Sequence, residues 1–154
     1  MKRFQYSLET VLHYKNQMLD NLKAEHAAAL ERVNRKKEEI YSLEGRLGQF
    51  QKGFDATKEK GASIETLLLY DMCITGAQKR IDGEKERLCA LQKKETAKKE
   101  QVLTAKVDTS RYEKLRERRL GEYQKALQKE EEHFAEEFIT RSMLRTDWRE
   151  EKVQ

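Results

Sequence analysis

The chain has 154 residues, a length that ordinarily means one domain, yet 39% of them are charged, against about 25% in typical globular domains. That balance excludes a large compact core and, with Glu, Lys, Leu, Arg and Ala prominent at helical spacing, points to coiled coil. The net charge of +4 excludes little by itself and is evenly spread: residues 1–60 carry 12 basic and 9 acidic side chains, 61–112 carry 10 and 8, and 113–154 carry 10 and 11.

At the N-terminus, Met1-Lys2-Arg3-Phe4-Gln5-Tyr6 lacks the apolar core of a signal peptide. One heptad frame then fits residues 5–54 without a break. Its a positions after Gln5 are Leu12, Leu19, His26, Val33, Ile40, Leu47 and Phe54; its d positions are Leu8, Lys15, Leu22, Ala29, Lys36, Leu43 and Phe50. Eleven of these fourteen are apolar, so they form one narrow stripe that suits a single partner helix. Lys15 and Lys36 interrupt the stripe and are expected to tune its register, stems packed and ammonium groups pointing out. Gly45, Gly48 and Gly53 soften the end of this first helix, expected over about 4–60.

The chain contains no proline, so a reversal must come from elsewhere. Gly61 can end the first helix in the left-handed conformation, and Ser63 can cap the second, with Glu65 in its first turn. The turn is therefore expected at about 61–62 and the second helix over about 63–145, frayed beyond Arg145. The second helix has its own seam of Leu67, Ile74, Ile81, Leu88 and Val102, with Tyr70, Ala77, Leu91, Ala105 and Tyr112 between. Gly76 and Gly83 share a face and either permit close helix approach or loosen the rod. From Gln92 to Gln101 only Ala97 is apolar, which predicts the weakest packing there. Past Tyr112 the apolar positions drift through Leu115, Leu120, Tyr123, Leu127, Phe134 and Phe138 to Leu144 and Trp148, as on a straight helix.

These lengths predict an all-α fold, a long antiparallel two-helix coiled-coil hairpin with a C-terminal helical overhang. With the reversal near Gly61, position i faces roughly position 124 − i, so Phe4 is expected near Leu120. The remaining C-terminal stretch, about thirty residues, carries Tyr123, Phe134, Phe138 and Trp148 with no partner expected in the hairpin, and unpartnered aromatics signal a contact surface.

The same elements carry no signature of catalysis. No glycine-rich phosphate loop, GKS or GKT triplet or HExxH occurs; His13, His26 and His133 are scattered; Glu130, Glu131 and Glu132 point to different faces of a helix. A helical rod also offers no pocket that excludes water. No enzyme, cofactor or metal site is expected. Cys73 and Cys89 stand about 24 Å apart along one helix and cannot bridge within it, which suits a reducing cytosol. The apolar run Leu67-Leu68-Leu69-Tyr70 is far too short to cross a bilayer. The most basic stretch, Tyr112 to Arg119, includes Glu113 and Glu117 and is followed by the acidic Glu130–Glu137 run, so nucleic-acid binding is the lesser alternative. A structural scaffold built from an intermolecular dimer is the other, although a monomeric hairpin is expected.

Several stretches together resemble the FliJ family of the bacterial flagellar type III export apparatus. They are Phe4-x-Tyr6-x-Leu8-x-x-Val11-Leu12, the reversal at Gly61, Tyr70-x-x-Cys73-Ile74, Tyr112-Glu113-Lys114-Leu115-x-x-Arg118-Arg119, and Glu131-Glu132-x-Phe134-x-Glu136-Glu137. The resemblance implies a non-enzymatic stalk similar to the rotor shaft of rotary ATP synthases. Such a stalk binds the hexameric export ATPase, promotes its ring assembly, contacts the cytoplasmic part of the membrane export gate and escorts export chaperones. It implies a cytoplasmic protein recruited to the inner membrane at the flagellar base. ATPase contact would fall on Phe4, Leu8, Leu12, Tyr123, Leu127, Phe134 and Phe138. Gate contact would fall on Leu43, Phe50, Cys73 and Ala77, with core packing an open alternative for Leu43 and Phe50.

Overall fold

The structure, a computed structural model, describes the backbone from Arg3 to Glu150 and side chains as far as Met143. Among the described residues the fold is all-α: helix α1 (Glu9–Glu59) and helix α2 (Ile64–Glu150) pack against each other as a hairpin. The backbone of α2 stays helical to Glu150, past the fraying expected beyond Arg145, while the side chains of Leu144 and Trp148 lie outside the described ones. The helices are shared between two compact units, one of Gln17–Lys106, the other of the N-terminal segment through Asn16 with α2 from Val107 onward.

In the Gln17–Lys106 unit the reversal follows from three neighbouring residues. Gly61 takes φ +75°, where a side chain would be strained. The amide of Gly61 then donates to Lys58 O (3.2 Å) and that of Ala62 to Thr57 O (3.3 Å), the paired bonds of a Schellman C-cap. Ser63 Oγ accepts from the amide of Thr66 at 3.4 Å and so caps α2. Just before the turn, Phe54 meets Tyr70 edge-on with centroids 6.4 Å apart. Gly53 makes room for that ring: a Cβ there would sit 3.0 Å from Tyr70 Cε1. No atom outside the local helix lies within 4 Å of where a Cβ would stand on Gly76 or Gly83, so neither serves close approach.

The seam of this unit is the expected one, with Leu19, Val33, Ile40, Leu43 and Ile81 buried and Ile81 only 1% exposed. Its polar positions differ from expectation. Lys36 does not leave its ammonium in water: Nζ lies 2.8 Å from Glu84 and 2.6 Å from Glu39. His26 Nε2 lies 2.6 Å from Glu95. Flanking pairs Lys85–Glu44 (2.8 Å) and Lys98–Glu25 (2.5 Å) also cross between the helices. Between Gln92 and Gln101 no side chain is buried and Ala97 is exposed; Glu95 and Lys98 occupy the seam instead.

In the other unit the first residues depart from the expected helix. Phe4 and Tyr6 are not helical, and α1 begins only at Glu9. The segment is held from the side: Phe4 packs on Tyr123 with centroids 5.5 Å apart, and Tyr6 Oη donates to the carbonyl of Tyr112 at 3.3 Å. Non-helical chain advances up to about 3.3 Å per residue against 1.5 Å in a helix. This is why Phe4 reaches Tyr123 and not Leu120. Leu12 is buried, and Lys15 closes the seam on Asp108 at 2.6 Å, again with its ammonium paired and not simply pointing out. Thr109 is buried and α2 passes through Asp108-Thr109-Ser110 without a break.

Candidate functional site

The candidate surface is the stretch of α2 that follows the N-terminal contacts. Leu127 is half-buried, and every side chain from Gln128 to Met143 is exposed. At 100° per residue, Leu127, Phe134 and Phe138, seven and four residues apart, share one stripe. Phe134 is 71% and Phe138 69% exposed, so two phenyl rings stand in water; Ile139 and Met143, also exposed, lie toward the other side of the helix. Glu130, Glu131, Glu132, Glu136 and Glu137 surround them. Their bonds run along the helix: Gln128 Nε2 donates to Glu132 at 3.0 Å, and Arg141 lies 3.9 Å and His133 4.0 Å from Glu137. These contacts support the helix without covering the rings.

The structure divides the seven residues assigned to ATPase contact. Phe4, Leu8, Leu12 and Tyr123 are buried or half-buried where the N-terminal segment meets α2, so they anchor the base of the arm. Leu127 marks the border, and Phe134 and Phe138 are presented outward. The salt bridge Arg116 Nε–Glu9 (3.1 Å) ties the same base together.

The residues assigned to gate contact also separate. Leu43 belongs to the core, Ala77 is half-buried, Cys73 is exposed, and Phe50, at 37% exposed, is the most open apolar position of the first heptad frame. Beside Cys73 lies a patch that sequence reading missed, made of Ile64, Leu68, Leu69 and Met72, all exposed. The signal was present in the run Leu67-Leu68-Leu69-Tyr70: a helix apolar on more than one face must leave one of them outside when it packs against a single partner.

Electrostatics concentrate in the seams. The bond from Lys36 holds the Glu84 carboxyl below its ordinary 4.5, against the opposing effect of burial, with Arg87 and Arg80 assisting. Lys36 is raised above its ordinary 10.5 by its bonds to Glu39 and Glu84, Lys15 by its bond to Asp108, and Lys85 by its bond to Glu44. Among the described residues there is no cluster of His, Cys, Asp or Glu able to hold a metal ion, and no helix is long and apolar enough to cross a membrane.

Fold and surface together define a class: a two-helix hairpin whose second helix carries an exposed aromatic arm. The family model described as Flagellar FliJ protein matches residues 4–147, and the chain belongs to the FliJ family. Membership implies a component of the flagellar export apparatus, in a family of non-catalytic proteins. No curated protein and no solved structure matches the chain significantly.

Proposed function

We propose that this protein is the stalk of the flagellar export ATPase, a non-enzymatic cytoplasmic component that binds the hexameric ring through the arm of α2 and promotes its assembly and activity. The observation that carries this reading is the exposure of Phe134 and Phe138 on one stripe of a helix rooted by Phe4 and Tyr123. Leaving two phenyl rings in water forgoes burial worth roughly 1.5–3 kcal/mol each, which a partner would recover. The patch of Ile64, Leu68, Leu69 and Met72, with Phe50 and Cys73, is the corresponding surface for the membrane export gate. Recruitment to the membrane then comes from the gate and needs no spanning helix in this chain. Escort of export chaperones follows from the family alone, and we assign no residue to it.

The test is binding to, and stimulation of, the purified export ATPase. The wild-type chain co-elutes with the ATPase and raises its hydrolysis rate, and Phe134→Ala/Phe138→Ala weakens binding by about tenfold or more, as expected for aromatic anchors. A wild-type chain that neither binds nor stimulates the ATPase sinks the reading.

A further inference from the structure

We propose that the polar pairs in the seam of the Gln17–Lys106 unit form a register lock, which excludes hairpins in which one helix has slipped by a heptad along the other. An apolar heptad seam is degenerate, because a slide of seven residues again sets stripe against stripe. The turn alone resists such a slide weakly, since the entropic cost of a longer loop grows slowly with its length. The native pairing joins Lys36 to Glu84 at 2.8 Å and His26 to Glu95 at 2.6 Å.

A slide of seven residues in one direction would set Lys36 against Leu91 and His26 against Val102, with Glu84 against Leu43 and Glu95 against Val33. The opposite slide would set Lys36 against Ala77 and His26 against Leu88, with Glu84 against Ala29 and Glu95 against Leu19. Every one of these new neighbours is an apolar seam residue, buried or half-buried in the native hairpin. Each slip therefore sets four polar groups against apolar neighbours: His26 and Glu95 lose each other, while Lys36 keeps Glu39 and Glu84 keeps Arg87 but each loses its partner across the seam. Lys36 and His26 are ten residues apart, Glu84 and Glu95 eleven, and neither spacing is a multiple of seven, so no heptad slip pairs them again. Glu39, on the same helix as Lys36, travels with it and leaves Glu84 without its lysine.

Stability alone would not require these pairs. Replacing both partners of a buried pair by apolar residues is often neutral or stabilising, while removing one partner is costly. Glu84, at 7% exposure, is buried deeply enough for that asymmetry to apply. The lock thus acts chiefly on the alternatives and little on the native state.

The test is distance measurement by electron paramagnetic resonance on the full chain, with spin labels at Glu44→Cys and Lys99→Cys and both native cysteines replaced (Cys73→Ser, Cys89→Ser). The native seam gives one distance population. The variant Lys36→Leu/Glu84→Leu/His26→Leu/Glu95→Leu stays folded and shows a second population displaced by about 10 Å, seven residues of helix rise. The charge-swapped Lys36→Glu/Glu39→Lys/Glu84→Lys/Arg87→Glu, which reverses each pair together with its neighbour on the same helix, keeps a single population. An apolar variant that unfolds or keeps one distance overturns the proposal, and so does a charge swap that splits the distribution.

Discussion

Two stretches of α2, both rich in charged residues with apolar ones between, meet opposite fates. Between Leu67 and Tyr112 the seam residues Leu67, Ile74, Ile81, Leu88 and Val102 lie on a heptad stripe facing α1, and the seam's polar residues are matched by opposite groups across it. From Gln128 to Met143 the apolar residues again share faces, yet all are exposed, and the ion pairs run only along the helix. Burial is decided by whether a partner helix is present, more than by residue type. The facing helix that the second stretch lacks among the described residues is what a binding partner would supply.

The sharpest way to break this comparison is to truncate one residue from each stretch. Ile81→Ala removes a side chain with 1% exposure and should destabilise the protein by about 2–5 kcal/mol in urea unfolding followed by circular dichroism. An effect below about 1 kcal/mol would mean the seam is far looser than it looks.

A second contrast is in pH. The carboxyl of Glu84 is held below its ordinary value, so its contribution to stability is full above 4.5 and is lost as the pH falls through the lowered value. Lys36 is raised, so its contribution is full below 10.5 and is lost as the pH climbs past the raised value. Melting temperature should therefore fall on both sides of a neutral plateau. Glu84→Gln should melt lower at neutral pH and show a smaller drop in acid; an unchanged acid drop would mean that other carboxylates dominate it.

The smallest expected effect sharpens the comparison from the other side. Phe134→Ala/Phe138→Ala should change the stability of the isolated protein by no more than about 0.5 kcal/mol per residue, because neither ring is packed. A larger loss in the same urea titration would show that the rings are covered within the free chain, and the arm would cease to be a docking surface.

Much of this was legible in the sequence because a heptad stripe is a one-dimensional code. Of the fourteen seam positions assigned on α1, Phe50 alone stays exposed. The register of 124 − i gives Phe54 opposite Tyr70 directly and places Lys15 within one residue of Asp108. Gly61 and Ser63 were legible because a left-handed glycine and a capping hydroxyl act locally. The start of α1 was not, since Phe4 and Leu8 continue the apolar spacing into a segment that side contacts hold out of the helix. Nor were the acids that receive Lys15, His26 and Lys36, because naming a partner across a seam needs the register to a single residue. Gly53 looked like softness and is in fact a seat for Tyr70, which only the packed pair reveals. For the candidate surface, periodicity marked the arm but not which residues of the assigned set were already used in holding it.

The glycines away from the turn carry one last consequence. Where a Cβ would stand on Gly45, Gly48, Gly76, Gly83 or Gly121, no atom beyond the local helix lies within 4 Å, so packing does not require a glycine at any of them. Alanine at each would favour helix by about 1 kcal/mol. The chain forgoes that stiffening at five places, and its two helices are consequently more compliant in bending than their own packing demands.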